Sequence, residues 1–188
     1  MIWRIAICLI LGYAFGCIST GFIVGKIQKV DIRNYGSGNV GTTNALRTLG
    51  KKAALITLLG DVFKCAIPVV LIKFVFFKEL PEADLFGLYT ALGAVLGHTF
   101  PFYLKFKGGK GIAVLVGTIL TFDWRIFLIW GATFFIILAI TRFVSLLCNF
   151  AAESGSFSSF LLLFEVFYTY CGFRRNTAGI TGEHPRIC

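Results

Sequence analysis

Long apolar runs alternate with short polar connections along most of this 188-residue chain. The runs at 5–25 and 85–104 contain no Asp, Glu, Lys or Arg, and the run at 53–77 contains only Asp61, Lys64 and Lys73. A helix that crosses a bilayer needs roughly 20 apolar residues. The pattern therefore predicts three membrane-spanning helices within the first 104 residues.

The second half of the chain has a less regular pattern. Two shorter apolar runs, at 111–122 and 126–140, flank a polar Asp-Trp-Arg turn, and a last apolar stretch covers 143–173. At 1.5 Å per residue the run at 111–122 would be a helix of only about 18 Å, so the helix must extend into flanking residues or pack inside the protein. We predict an all-α, polytopic integral membrane bundle with about six visible spans, in a single domain over 1–188.

Composition supports this class. The chain is 57% hydrophobic and only 14% charged, which is unlike a soluble domain. The net charge of +9 leaves anionic lipid headgroups or a phosphorylated substrate as partners and disfavours nucleic acid. The six cysteines are scattered without a C-x-x-C pair, so we interpret them as packing residues and predict no disulfide framework, metal site or cofactor. The first run lacks the flanks of a cleaved signal peptide.

Basic residues concentrate on alternate connections. Six lie within 26–52, three lie within 105–110, and Arg142 follows the run at 126–140, whereas the connection at 78–84 is mainly acidic. Because Lys and Arg accumulate on the cytoplasmic side, the pattern predicts an outside N-terminus and cytoplasmic basic connections.

These two basic connections are also rich in glycine. Glycine lets backbone N–H groups converge on an anion, Arg47 offers a planar fork for a phosphate, and Lys110 or Lys107 adds a point charge. A helix leading into 45–50 would place its N-terminus nearby, capped by one of Thr42, Thr43 or Asn44. A phosphate cradle and an ordinary basic loop with turn glycines both remain open on the residues alone. The spacing is not that of a P-loop.

Four ionisable residues fall inside the predicted spans. His98 is either a general base or a hydrogen-bonded structural histidine beside the second glycine-rich connection. Asp61 and Lys64 share one helix face, which predicts an ion pair that braces the site. Lys73 is expected to extend its ammonium group to the outer interface.

Two long motifs resemble one known family. The segments DIRNYGSGNVGTTNALRTLGKK and LGHTFPFYLKFKGGKGIA, with GCISTGFIVGK before them and TRFVSL after them, are similar to the bacterial PlsY family of acyl-phosphate:glycerol-3-phosphate acyltransferases over about 11–146. The resemblance implies a seven-span inner-membrane enzyme that moves a fatty acyl group from acyl phosphate to the 1-hydroxyl of glycerol 3-phosphate. The product would be lysophosphatidic acid, the first acylated intermediate of phospholipid synthesis.

The resemblance also implies the site residues. The family motifs give catalytic roles at the glycerol-phosphate headgroup to Ser37, Arg47 and Lys110. They give substrate-binding or loop-shaping roles to Asn39, Asn44, His98, Lys107, Gly108, Gly109 and Gly111. Such a reaction needs two held anions and an oriented hydroxyl more than a strong protein base. We expect membrane lipids as surroundings and a monomer.

Residues 147–188 depart from the family pattern, and two interpretations stay open. The tail is either diverged, with Asn176 and Glu183 as remnants of a third family motif, or translated out of frame from near Leu146, which would leave an inactive homologue. Resequencing the coding DNA decides between them. The rival functions are an organic-phosphate transporter, which favours internal repeats that this sequence lacks, and a membrane scaffold without catalysis.

Overall fold

The computed structural model describes residues 1–125, 127–129, 131–132 and 136, and all regular structure within them is helical. The α-helices are α1 (Ile2–Gly16), α2 (Thr20–Ile27), α3 (Thr42–Thr48), α4 (Lys51–Leu71), α5 (Ala83–Thr99) and α6 (Ile112–Phe122). Short 3₁₀ turns lie at Ile32–Asn34 and Phe102–Leu104, and a π turn at Ile72–Phe76 extends α4. The helical prediction is confirmed over this part of the chain.

Three helical segments within the described residues are long and apolar enough to cross a membrane: Ile2–Ile27, Lys51–Phe76 and Ala83–Leu104. They correspond to the three predicted spans, and α6 is the shorter apolar helix predicted at 111–122. Most of the predicted run at 126–140 and all of the stretch at 143–173 lie outside the described residues.

The first span is broken, whereas the sequence predicted one continuous helix over 5–25. α1 ends at Gly16 and α2 begins at Thr20. Backbone groups freed inside a bilayer need partners, because lipid offers none. The hydroxyl group of Tyr103 donates to the Cys17 carbonyl oxygen at 2.8 Å and accepts from the Ser19 N–H at 3.2 Å, while Lys64 Nζ donates to the Ile18 carbonyl oxygen at 2.8 Å.

α1 and α5 pack backbone to backbone along a stripe of small residues. A Cβ atom at Gly12 or Gly16 would collide with a carbonyl oxygen of α5, and one at Gly93 or Gly97 would collide with a carbonyl oxygen of α1. Small residues spaced four apart are a common means of close helix contact in membranes. This crossing fixes the first span against the helix that leads into the second glycine-rich connection.

Three apolar clusters fill the bundle. The middle cluster joins α4, α5 and α6. One end cluster joins both glycine-rich connections, through Ile32, Val40, Ala45, Ala54 and Leu104. The cluster at the opposite end contains Ile72, Phe86 and the connection between α4 and α5. The two basic connections therefore lie at the same end of the bundle, as the charge pattern predicted.

Candidate active site

Asn44 organises the first connection from its interior. The residue is 2% exposed, and its amide nitrogen lies within hydrogen-bond distance of the carbonyl oxygens of Ile32 (3.0 Å), Tyr35 (3.1 Å) and Asn39 (2.8 Å). Its amide oxygen accepts from the Ser37 N–H at 3.0 Å. One side chain thus ties together the backbone of three turns, so Asn44 shapes the connection from beneath.

The backbone around Ser37 takes conformations that favour glycine. Gly36 and Gly38 have φ values of +59° and +70°, in the left-handed region where residues with a Cβ atom are strained. A Cβ atom at Gly36 would also collide with Oδ1 of Asn44. Between these glycines the side chain of Ser37 is exposed.

The helix that follows is capped differently from the prediction. α3 begins at Thr42 with Gly41 as its N-cap residue, and no side chain caps it. The prediction that Thr42, Thr43 or Asn44 caps this helix is therefore wrong, because Asn44 is already engaged below the loop. The Gly41 N–H is instead bound by Asn39 Oδ1 at 2.9 Å. α3 carries Arg47 in its last turn, on the exposed surface.

The other arginine of this connection is committed to local structure. Arg33 donates to both carboxylate oxygens of Asp31, with Nη2 to Oδ2 at 2.7 Å and Nε to Oδ1 at 3.0 Å. These side-chain bonds, with the bond from the Arg33 N–H, lower the pKa of Asp31 to about 2, so the carboxylate stays ionised at neutral pH. The guanidinium group also lies 4.9 Å from the ring centroid of Phe22.

The second connection folds back onto the end of α5. The Gly108 N–H donates to the Thr99 carbonyl oxygen and the Gly109 N–H donates to the His98 carbonyl oxygen, both at 3.0 Å. A Cβ atom at Gly108 would collide with that His98 oxygen, so this approach needs glycine. Gly111, with φ of +78°, is the N-cap residue of α6. Lys107 is exposed and Lys110 half-buried, between Gly109 and Gly111.

Directly below this turn lies a buried charged cluster. Lys64 Nζ lies 2.9 Å from Asp61 Oδ1, which confirms the predicted ion pair. It also lies 2.8 Å from Nδ1 of His98, whose ring is buried. Sequence reasoning treated the ion pair and the histidine separately, because nothing in a single sequence shows that α4 and α5 bring them together.

Lys73 is the second buried lysine of the same span, and its predicted position is wrong. Its Nζ forms an ion pair with Asp84 at 2.8 Å, donates to the Thr121 carbonyl oxygen at 3.2 Å and lies 4.0 Å from the Phe122 ring centroid. The side chain is 3% exposed, since α5 and α6 supply partners that make extension to the interface unnecessary.

An apolar groove lies beside the two connections. It has a volume of about 600 Å³ and runs along the break in the first span, with Lys26 among its lining residues. The other lining residues are Ala14, Cys17, Ile18, Phe22, Ile23, Ile27, Phe102 and Tyr103. The groove therefore combines an apolar wall with a cationic group near the basic connections.

The remaining sequence predictions have mixed outcomes. Cys8, Cys17 and Cys65 are buried free thiols, as expected of packing residues. Tyr103, which holds the helix break, was missed, since an aromatic residue in an apolar run carries no distinguishing signal. Asn176, Glu183 and the other cysteines lie outside the described residues.

Comparison with known proteins gives a consistent result. The sequence model of the family described as "Glycerol-3-phosphate acyltransferase" matches residues 6–180. A protein of that name from Macrococcus caseolyticus is 40% identical over 164 residues, which cover 87% of this chain and 81% of the relative. The protein of that name from Bacillus subtilis is 45% identical over 143 residues, which cover 76% of this chain and 71% of the relative.

Two crystal structures of PlsY, an integral membrane glycerol 3-phosphate acyltransferase, are similar over nearly the whole chain. The glycerol 3-phosphate form has a TM-score of 0.71 at 28% identity and covers 98% of this chain and 96% of its own. The lysophosphatidic acid form has a TM-score of 0.69 at 27% identity, with 98% and 95% covered.

Proposed function

This chain belongs to the glycerol-3-phosphate acyltransferase family, and from that premise we propose that it acylates the 1-hydroxyl of glycerol 3-phosphate with acyl phosphate as donor. The protein is an integral membrane acyltransferase of phospholipid synthesis. The PlsY forms named for glycerol 3-phosphate and lysophosphatidic acid support the acceptor and the product. The donor, the acylated position and the residue roles are the proposal.

The observation that carries the proposal is the meeting of the two glycine-rich connections at one end of the bundle. Val40 and Ala45 of the first pack in one cluster with Leu104, which leads into the second. Arg47, Lys107 and Lys110 therefore belong to the same basic end. We propose that Arg47 and Lys110 bind the phosphate of glycerol 3-phosphate, together with Ser37 and with backbone N–H groups freed by glycine.

The chemistry suits a site built from cations and backbone donors. In the proposed step the 1-hydroxyl oxygen attacks the acyl carbon, the bond from that carbon to the phosphate oxygen breaks, and inorganic phosphate leaves. The hydroxyl proton passes to a phosphate oxygen of the acceptor or of the leaving group. Positive groups stabilise the charge that develops on the acyl oxygen and the departing phosphate. Acyl phosphate is an activated anhydride, so orientation supplies much of the rate enhancement.

The apolar groove is the proposed place for the acyl chain of the donor. Its lining is largely hydrocarbon, and Lys26 lies where it can meet the phosphate of a donor that enters from the bilayer. We propose cytoplasmic basic connections in the inner membrane, because Lys and Arg favour that side. Donor and acceptor would then meet at the cytoplasmic membrane surface.

Purified protein in detergent tests the reaction. Radiolabelled glycerol 3-phosphate is offered with acyl phosphate, acyl-coenzyme A or acyl-carrier protein, and lysophosphatidic acid is measured. We expect lysophosphatidic acid to form only when acyl phosphate is the donor. Equal rates with acyl-coenzyme A would refute the donor, and absence of product with every donor would refute the activity of this chain.

The variants Arg47→Ala and Lys110→Ala separate the proposed roles from general positive charge. Each should lower kcat/KM about 100-fold or more, since each removes a charge-assisted contact that strengthens in the transition state. Lys51→Ala, an exposed lysine at the start of α4, is the matched control and should stay near wild type. His98→Gln should retain more activity than Arg47→Ala, because the proposal needs no protein base.

A further inference from the structure

Lys64 is buried within a membrane span: it is 5% exposed and lies near the middle of the span Lys51–Phe76. A charge at such depth is costly unless it is paired, and it commonly marks a functional region. The proposed reaction gives Lys64 no part, and its ion pair with Asp61 accounts for only one of its close neighbours. The others indicate what the ammonium group does.

The ammonium group of Lys64 joins three separate segments. It donates to the Ile18 carbonyl oxygen at 2.8 Å, in the break of the first span, and lies 2.8 Å from Nδ1 of His98 on α5. Asp61 Oδ1, on its own helix, lies 2.9 Å away in an ion pair outside hydrogen-bond geometry. An ammonium group has three donors and no acceptor. Lys64 is therefore surrounded by acceptors on α4, on α5 and at the break.

The charge state of Lys64 decides the tautomer of His98. A charged lysine only donates, so the Nδ1 atom facing it must carry the lone pair, and the single ring proton lies on Nε2. A charged ammonium group also suits its other two neighbours, because the carboxylate of Asp61 and the Ile18 carbonyl oxygen are both acceptors. With Lys64 charged, His98 is a neutral ring whose N–H group is directed away from Lys64.

The other edge of the ring meets the second glycine-rich connection. A Cβ atom at Gly109 would collide with Nε2 of His98, so the ring occupies the space beside that glycine. The backbone of His98 also accepts from the Gly109 N–H at 3.0 Å. Ring and backbone of one residue therefore support the turn immediately before Lys110.

We propose that Lys64, with Asp61 beside it, is a positioning residue for acyl transfer. Its ammonium group holds His98 as the Nε2–H tautomer against Gly109, and His98 in turn sets the conformation of the turn that presents Lys110 to the phosphate of glycerol 3-phosphate. The kinetic consequence rests on the proposed function, whereas the tautomer does not. Lys64 itself touches neither substrate.

Nitrogen NMR of histidine tests the tautomer without any assay of activity. The chain has two histidines, His98 and His184, so in protein labelled with ¹⁵N at histidine the signals that remain in His184→Gln are those of His98. We expect a neutral ring protonated at Nε2 in the wild type. In Lys64→Met a population protonated at Nδ1 should appear. A wild type protonated at Nδ1, or an unchanged pattern in Lys64→Met, would overturn the proposal.

The kinetic test uses the second buried lysine of α4 as its matched control. Lys73→Met also removes a buried ammonium group with an acidic partner, but at the end of the bundle away from the glycine-rich connections. Both variants should unfold at lower temperature. Only Lys64→Met should raise KM for glycerol 3-phosphate, about tenfold or more, because the turn before Lys110 shifts.

An equal rise in KM for both lysine variants, or none for Lys64→Met, would reduce Lys64 to a purely structural role. If Lys64→Met does not fold, Asp61→Asn keeps the lysine and removes its anion. In Asp61→Asn, KM for glycerol 3-phosphate and the tautomer of His98 should change in the same directions as in Lys64→Met, since an uncharged lysine can accept the proton of Nδ1. If neither KM nor the tautomer changed in Asp61→Asn, the proposal would be contradicted. An inactive wild type with the expected tautomer would refute the proposed function alone.

Discussion

Two residues determine the shape of the first connection. Asn44 holds four backbone groups with its single amide, and Gly36 passes over Asn44 in a left-handed conformation. Neither role requires contact with substrate. The side-chain amide of Asn44 has partners for both its nitrogen and its oxygen, and a satisfied network of this kind favours one conformation. The exposed side chain of Ser37 is carried by this turn.

Replacing Gly36 with Ala tests how much this turn contributes. Left-handed backbone costs a residue with a Cβ atom about 1–2 kcal/mol, and at Gly36 the collision with Asn44 Oδ1 adds to that cost. Gly38→Ala is the control, because φ there is also positive, at +70°, and the atom nearest to its Cβ position is the Arg33 carbonyl oxygen at 3.2 Å, so Asn44 is not displaced. In detergent, the unfolding temperature should fall further for Gly36→Ala than for the control. KM for glycerol 3-phosphate should rise only in Gly36→Ala. Equal effects would disprove the role of Asn44.

At the scale of elements, the break in the first span is the feature that organises the candidate site. It leaves three backbone groups without helical partners. Tyr103, in the segment after α5, binds two of them, and Lys64, on α4, binds the third. The break also lines the apolar groove. A continuous helix would have no backbone groups to offer these side chains, so the break links the groove to both connections.

Tyr103→Phe removes the hydroxyl group that serves Cys17 and Ser19. Losing a partner of a buried backbone group costs about 1–3 kcal/mol, and the loss falls where lipid supplies no replacement. The free energy of unfolding, measured by denaturant titration in detergent, should fall by that amount. Tyr35→Phe, in an exposed position of the first connection, should change little. A Tyr103→Phe protein as stable as Tyr35→Phe would exclude Tyr103 as the clamp of the break.

The α1–α5 crossing gives a second prediction at this scale. Gly93→Ala forces a methyl group against the Leu9 carbonyl oxygen, which the helix backbone cannot move, and should cost about 1–3 kcal/mol. At Gly60→Ala the three nearest atoms all belong to the side chain of Thr20, which can shift more readily than a helix backbone. In denaturant titration, the free energy of unfolding should therefore be clearly lower for Gly93→Ala than for Gly60→Ala. The opposite order would mean that the close crossing does not contribute to stability.

Sequence reasoning reached the spans because lipid imposes length and polarity on each helix separately. It placed both glycine-rich connections at one end, since alternation of spans and the positions of Lys and Arg suffice for that. It missed the break at Cys17–Ser19, where no charge or proline marks the change. It also misplaced Lys73, because the pairing of that residue with Asp84 depends on how α4 and α5 pack.

At the scale of the whole molecule, we propose that the two basic connections form one site. They share an apolar cluster at one end of the bundle, above a buried charged cluster that reaches across α4 and α5. The opposite end carries its own buried lysine and no part of either connection. The site is thus a property of how the spans are assembled, with each connection supplying one proposed phosphate-binding cation.

Direct binding of glycerol 3-phosphate measures this claim without the donor. Isothermal titration calorimetry on purified protein should give a dissociation constant that rises about tenfold or more in Arg47→Ala and, separately, in Lys110→Ala, since each charge-assisted contact contributes about 1.5–3 kcal/mol. Lys51→Ala should bind as the wild type does. If either Arg47→Ala or Lys110→Ala bound glycerol 3-phosphate as tightly as Lys51→Ala, the two connections would not form one phosphate site, which would contradict the proposed function.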